Sequence, residues 1–142
     1  MKLPFESQSP SASEEEIEAL EEAVGITLPP IYKALLTYSN GGEWPLDISP
    51  FTFYMFDVDT VIGNLTGTDF TEAFPDCLPI GGDGMSEYIA LAFTSEDDEV
   101  EEDPLVVAID AMADNAKDAL YPVAKSLSEF VRHIGKEYEE ND

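Results

Sequence analysis

A chain of 142 residues with 31 Asp and Glu against 6 Lys and Arg carries a formal net charge of −25, on a surface that size scaling puts at roughly 7,000 Å². That balance excludes DNA, RNA or an anionic membrane as the main partner, because affinity for those polyanions comes from Lys and Arg displacing counterions. A hydrophobic share of 44%, with 11% aromatics, is enough for one core, which excludes a wholly disordered chain and points to one domain at this length.

One Cys leaves no intramolecular disulfide, and one His with one Cys leaves no zinc site of the usual type. Met1-Lys2-Leu3-Pro4-Phe5 opens no apolar stretch long enough for a signal peptide or membrane span, so a cytoplasmic location is expected. Residues 1–12 are expected to be a flexible N-terminal segment and 13–142 a single domain, because 6–13 are small and polar without periodicity.

Ser13 followed by Glu16 is a capping-box signature, and Ile17, Leu20 and Val24 recur on one helical face up to Gly25. Pro29-Pro30 suits the first turn of a second helix, with Ile31, Leu35 and Tyr38 as its apolar stripe and Asn40-Gly41-Gly42 as its end. Phe51 to Phe56 reads as a strand. From Asp57 to Phe74, Val58, Val61, Ile62 and Leu65 have helical spacing interrupted by Gly63 and Gly67, which predicts a short helix and a loop.

Leu78 to Gly84 reads as turns around a short strand, and Glu87–Phe93 and Leu105–Ile109 read as two more strands. Between the last two, seven of the eight residues from Glu96 to Asp103 are acidic, the pattern of a solvated hairpin tip. Ser126 and Glu129 form a second capping pair, with Leu127, Phe130, Val131, Ile134 and Tyr138 on one helical face. The predicted fold is α+β: two N-terminal helices, a mostly antiparallel sheet, and a C-terminal helix packed on it, with the other sheet face partly open for binding.

The search for chemistry yields no catalytic residue, no cofactor motif and no metal set. Gly81-Gly82-Asp83-Gly84 lacks the Lys-Ser/Thr end of a P-loop. Asp57-Val58-Asp59 begins like a calcium loop, but Val61 and Ile62 occupy positions that need an oxygen ligand and a Gly, so helix capping by Asp is the simpler role. His133 reads as an exposed helix residue and Cys77 as a small core residue. Trp44 is either a core lid over the second helix or an exposed interface anchor. The signal that stands out is charge distribution: residues 34–116 contain no Lys or Arg, while Glu43 to Asp114 supply eighteen Asp and Glu. Such a one-sign field attracts a basic protein at long range.

The run Gly25-Ile26-Thr27-Leu28-Pro29-Pro30 through Ser39-Asn40-Gly41-Gly42 resembles the opening of the SUKH superfamily, which includes the Smi/Knr-type domain and many bacterial immunity proteins. Leu78-Pro79-Ile80-Gly81-Gly82-Asp83-Gly84 before a strand, and the closing Ser126-Leu127-Ser128-Glu129-Phe130-Val131, are similar to that family as well. The resemblance implies one Smi/Knr-type domain over residues 13–142 and a non-enzymatic protein that binds a cognate toxin and blocks it. Many toxins countered by this family are nucleases, whose substrate surfaces must be basic.

Charge position nominates Glu96, Asp97, Asp98, Glu99, Glu101, Glu102 and Asp103 as toxin-binding residues, with Asp83 and Glu87 near the same strand end and Trp44 as an interface aromatic. The expected partner is a basic toxin protein, with no nucleic acid and no membrane. Two other readings stand beside it: a regulatory scaffold of the Smi/Knr type without a toxin, and a halophile's domain whose charge meets no specific partner.

Overall fold

The computed structural model describes residues 7–25, 28–48, 52–66, 77–82, 87–93, 104–110 and 120–135. Helix α1 spans Glu14–Val24 and is closed at both ends by local chemistry. The Ser13 hydroxyl accepts the Glu16 N–H at 3.1 Å, and the Glu16 carboxylate accepts the Ser13 N–H at 3.1 Å. Each bond gives a partner to an N–H that a helix start leaves unpaired, and Glu14, Glu15 and Glu16 lie where the helix dipole favours negative charge. At the other end Gly25, with φ of 83°, donates to the Glu21 carbonyl at 2.8 Å.

Helix α2, Pro30–Tyr38, starts on the proline as expected and buries Tyr32, Leu35 and Leu36. Helix α3 spans Val58–Thr66, and Asp57 caps it by accepting the Thr60 N–H at 2.8 Å. Gly63 does not stop α3: it is exposed, and helix interiors tolerate a lone glycine for about 1 kcal/mol.

Six strands follow one another across a single antiparallel sheet: β1 Gly42–Pro45, β2 Thr52–Met55, β3 Cys77–Gly82, β4 Glu87–Ala92, β5 Leu105–Asp110 and β6 Leu120–Ala124. The fold is therefore α+β with an antiparallel meander. The hairpin reading of β4 and β5 fits their pairing from Glu87↔Asp110 to Ala92↔Leu105. The acidic run between them lies outside the described residues.

Strands β1 and β6, which sequence pattern did not reveal, form the two sheet edges, where the prolines Pro45 and Pro122 are tolerated because an edge leaves some N–H groups unpaired. Strand β3 carries a register shift between Pro79 and Gly81. A Cβ on Gly81 would run into the Tyr54 carbonyl oxygen and come within 2.7 Å of the Phe53 ring, so only glycine lets β2 and β3 approach this closely.

The last helix among the described residues, α4, is Leu127–Val131, shorter than the stripe from Leu127 to Tyr138 predicts. Ser126 caps it by accepting the Glu129 N–H at 3.2 Å. The next bonds tighten to i→i−3 spacing at Arg132, His133 and Ile134, and the chain then turns through Gly135, with φ of 88°. Ile134 leaves the helical path because it bridges to Leu46, and Gly135 donates to the Pro45 carbonyl at 2.8 Å. Tyr138 lies outside the described residues.

The helices among the described residues bury their apolar side chains against one sheet face, in a core where Phe53 meets Phe130 edge-on at 5.1 Å and Trp44 at 6.4 Å. The opposite face is less open than expected. Ala90, Val107 and Ile109 are fully buried there, with Cys77, Tyr88, Ala92 and Leu105 half-buried around them. Its exposed part lies toward β1 and β2, where Tyr54 is 46% exposed.

Candidate functional site

The corner at Asn40-Gly41-Gly42 does more than end α2. The Asn40 side chain accepts the Val58 N–H at 3.0 Å, supplying the start of α3 with a second partner, and donates to the Glu16 carboxylate of α1 at 3.3 Å. The Asn40 N–H donates to the Pro10 carbonyl at 3.0 Å. One residue thus fixes α1, α3 and the N-terminal segment relative to one another.

That segment, read from sequence as part of a flexible lead-in, is tied down over residues 7–12. The buried Ser39 hydroxyl accepts the N–H groups of Gln8 and Ser9, both at 3.1 Å, and donates to the Gly41 carbonyl at 2.7 Å. Ala12 donates to the Leu36 carbonyl at 2.9 Å. The Gln8 side-chain amide pairs with both backbone groups of Glu43, accepting its N–H at 2.8 Å and donating to its carbonyl. It closes part of the β1 edge as a neighbouring strand would.

A recess of about 390 Å³ opens where these pieces meet. Gly41 and Gly42, with φ of 98° and 145°, form part of its wall, and a Cβ on Gly42 would come within 2.6 Å of the Trp44 ring. The polar side is carried by Glu43, Asp57 and Thr60, all exposed. The aromatic side is Tyr54 and Phe56. Glu43 and Tyr54 are directly opposed across β1 and β2, so their side chains share the outward face. Phe56 is edge-on to Tyr54 at 6.3 Å and to Tyr88 at 6.2 Å, which makes an aromatic row leading away from the recess. Two carboxylates and no basic side chain are found among the described residues lining it.

Glu87 is the one nominated acidic residue that the structure describes. It is half-buried and accepts the Tyr121 hydroxyl at 2.6 Å. Glu87 opens β4, paired with Asp110, and at about 3.3 Å per residue the Ala92↔Leu105 pair stands roughly 17 Å further along the same two strands. Asp83 and the residues Glu96, Asp97, Asp98, Glu99, Glu101, Glu102 and Asp103 lie outside the described residues. Trp44 takes the core position: at 4% exposure it offers a partner almost no surface.

Asp57, Glu43 and Tyr54 were not nominated as a group. The run from Thr52 to Phe56 is mostly apolar, so alternation cannot say which side chains face outward. His133, expected to be exposed, is half-buried with its Nδ1 2.7 Å from the Asp47 carboxylate. The Tyr32 phenol is fully buried with no hydrogen-bond partner among the described residues, and loss of hydration pushes its pKa well above the ordinary tyrosine value. Among the described residues no group of three His, Cys, Asp or Glu is placed to hold a metal ion, and no helix is long and apolar enough to cross a membrane.

A helical layer on one face of an antiparallel meander, with a carboxylate-lined recess at the exposed end of the other face, defines the domain as α+β. The chain belongs to the SMI1 / KNR4 family (SUKH-1), whose family model matches residues 11–133, and the SUKH domain family includes immunity proteins. No curated protein matches the chain.

Proposed function

We propose that this chain is a non-enzymatic immunity protein that binds and neutralises a cognate toxin, a basic nuclease domain, through its acidic surface. The observation that carries the reading is charge distribution within this family: a net −25, with no Lys or Arg from 34 to 116. A nuclease must present a basic surface to its polyanionic substrate, and a dense carboxylate field competes for that surface by the same electrostatics. The proposed contact is the run from Glu96 to Asp103, with Asp83 and Glu87.

The test is co-expression with each neighbouring reading frame, scored by growth rescue and co-purification. A basic toxin domain neutralised and retained by the chain is the expected result. Reversing four charges between Glu96 and Asp103 should then weaken the complex, and unchanged affinity would remove that run from the interface. Failure of every neighbouring frame to bind would remove the immunity reading itself.

A further inference from the structure

The recess beside Tyr54 combines features that no acidic cluster alone supplies. It is concave, it has an aromatic wall, and carboxylates stand on two separate elements, Glu43 on β1 and Asp57 at the start of α3. Its volume of about 390 Å³ falls near the lower end of the ~300–1,000 Å³ range of small-ligand clefts, which leaves room for one long side chain. The Gln8 amide already occupies the Glu43 backbone groups, so a further strand pairing there is blocked and the side chains are what remain to be recognised.

We propose that this recess receives one arginine side chain of the protein partner, its guanidinium against the exposed Tyr54 ring and hydrogen-bonded to Glu43 and Asp57. This rests on the reading that the partner is basic. Guanidinium fits better than ammonium for a physical reason: it is planar and weakly hydrated, stacks on aromatic faces, and presents a fork of N–H donors that matches carboxylates. The Asp57 cap bond to Thr60 uses Oδ1 and holds the carboxylate in place before any ligand arrives, which reduces the ordering cost of binding. A Cβ on Gly41 would stand 3.5 Å from that of Asp57, so the glycine leaves the space beside this carboxylate open, while Gly42 makes room for the Trp44 ring behind the wall. The same Asn-Gly-Gly corner that positions α3 therefore shapes the recess.

N-acetyl-arginine amide is the probe, titrated into the ¹⁵N-labelled full chain and followed by amide chemical shifts. The expected result is a saturable shift with a dissociation constant on the order of 10 mM, confined to the amides of residues 40–43 and 54–60, and at least about threefold weaker for N-acetyl-lysine amide. Tyr54→Ala and Glu43→Gln should each weaken it by about fivefold, while Tyr54→Phe, which keeps the ring, should bind as the parent does. Equal response to lysine and arginine, or shifts that spread without saturation over the acidic surface, would overturn the proposal. A toxin complex that keeps full affinity in Tyr54→Ala would also overturn it, and would leave the immunity reading standing.

Discussion

Replacing Asn40 with Ala tests whether one side chain holds the corner together. The substitution keeps the backbone bond to Pro10 but strips the Val58 N–H of its acceptor, and Val58 is only 1% exposed. A buried donor left unpaired costs about 1–3 kcal/mol. The bond to Glu16 is long at 3.3 Å and partly exposed, so it adds no more than about 0.5 kcal/mol.

The expected loss is about 1–3.5 kcal/mol, read as a lower urea midpoint with an unchanged slope. Asn40→Asp separates the two bonds: it keeps an acceptor for Val58 but sets a carboxylate against that of Glu16. It should therefore recover most of the loss seen in Asn40→Ala, with a residual like-charge repulsion from Glu16 that added salt weakens. An Asn40→Ala variant within about 0.5 kcal/mol of the parent would refute the reasoning, because it would mean the start of α3 finds partners elsewhere.

Gly81→Ala must push β2 and β3 apart, since its Cβ would strike the Tyr54 carbonyl and the Phe53 ring; a loss of at least about 3 kcal/mol in chemical denaturation is expected. Tyr32→Phe removes a buried hydroxyl without a partner and should leave stability at pH 7 unchanged or raise it by about 1 kcal/mol. The parent should lose stability as pH rises above 10.0, where the unfolded tyrosine ionises and the buried one keeps its proton; a Tyr32→Phe variant should lack up to about 1.4 kcal/mol of that loss per pH unit. Ser39→Ala removes the acceptor shared by Gln8 and Ser9, so amide exchange at both should accelerate more than at Leu35 or Leu36.

What the sequence made legible is what local chemistry decides. Ser13 with Glu16, Gly25, Pro30 and Ser126 mark helix ends because each acts within four residues, and the structure bears out each of them. The end of α4 was not legible, because Ile134 departs from the helix to meet Leu46, far away in sequence. Strands β1 and β6 were missed for a related reason: four or five residues with a proline carry too little pattern, and their pairing partners decide them.

The candidate site follows the same division. Asn40-Gly41-Gly42 was readable as a helix end, but its bonds to Pro10, Glu16 and Val58 have no local signature. The exposure of Tyr54 depends on register with Glu43, which hydrophobic pattern cannot supply where nearly every residue of the strand is apolar.

The central claim is that a carboxylate field draws a basic toxin onto this domain, and its most direct test is the association rate of the chain with the neutralised toxin across a salt series. From about 50 mM to about 500 mM salt the rate should fall at least about tenfold, with a smaller change in dissociation. An association rate indifferent to salt would contradict the account, because the acidity would then have no part in recognition.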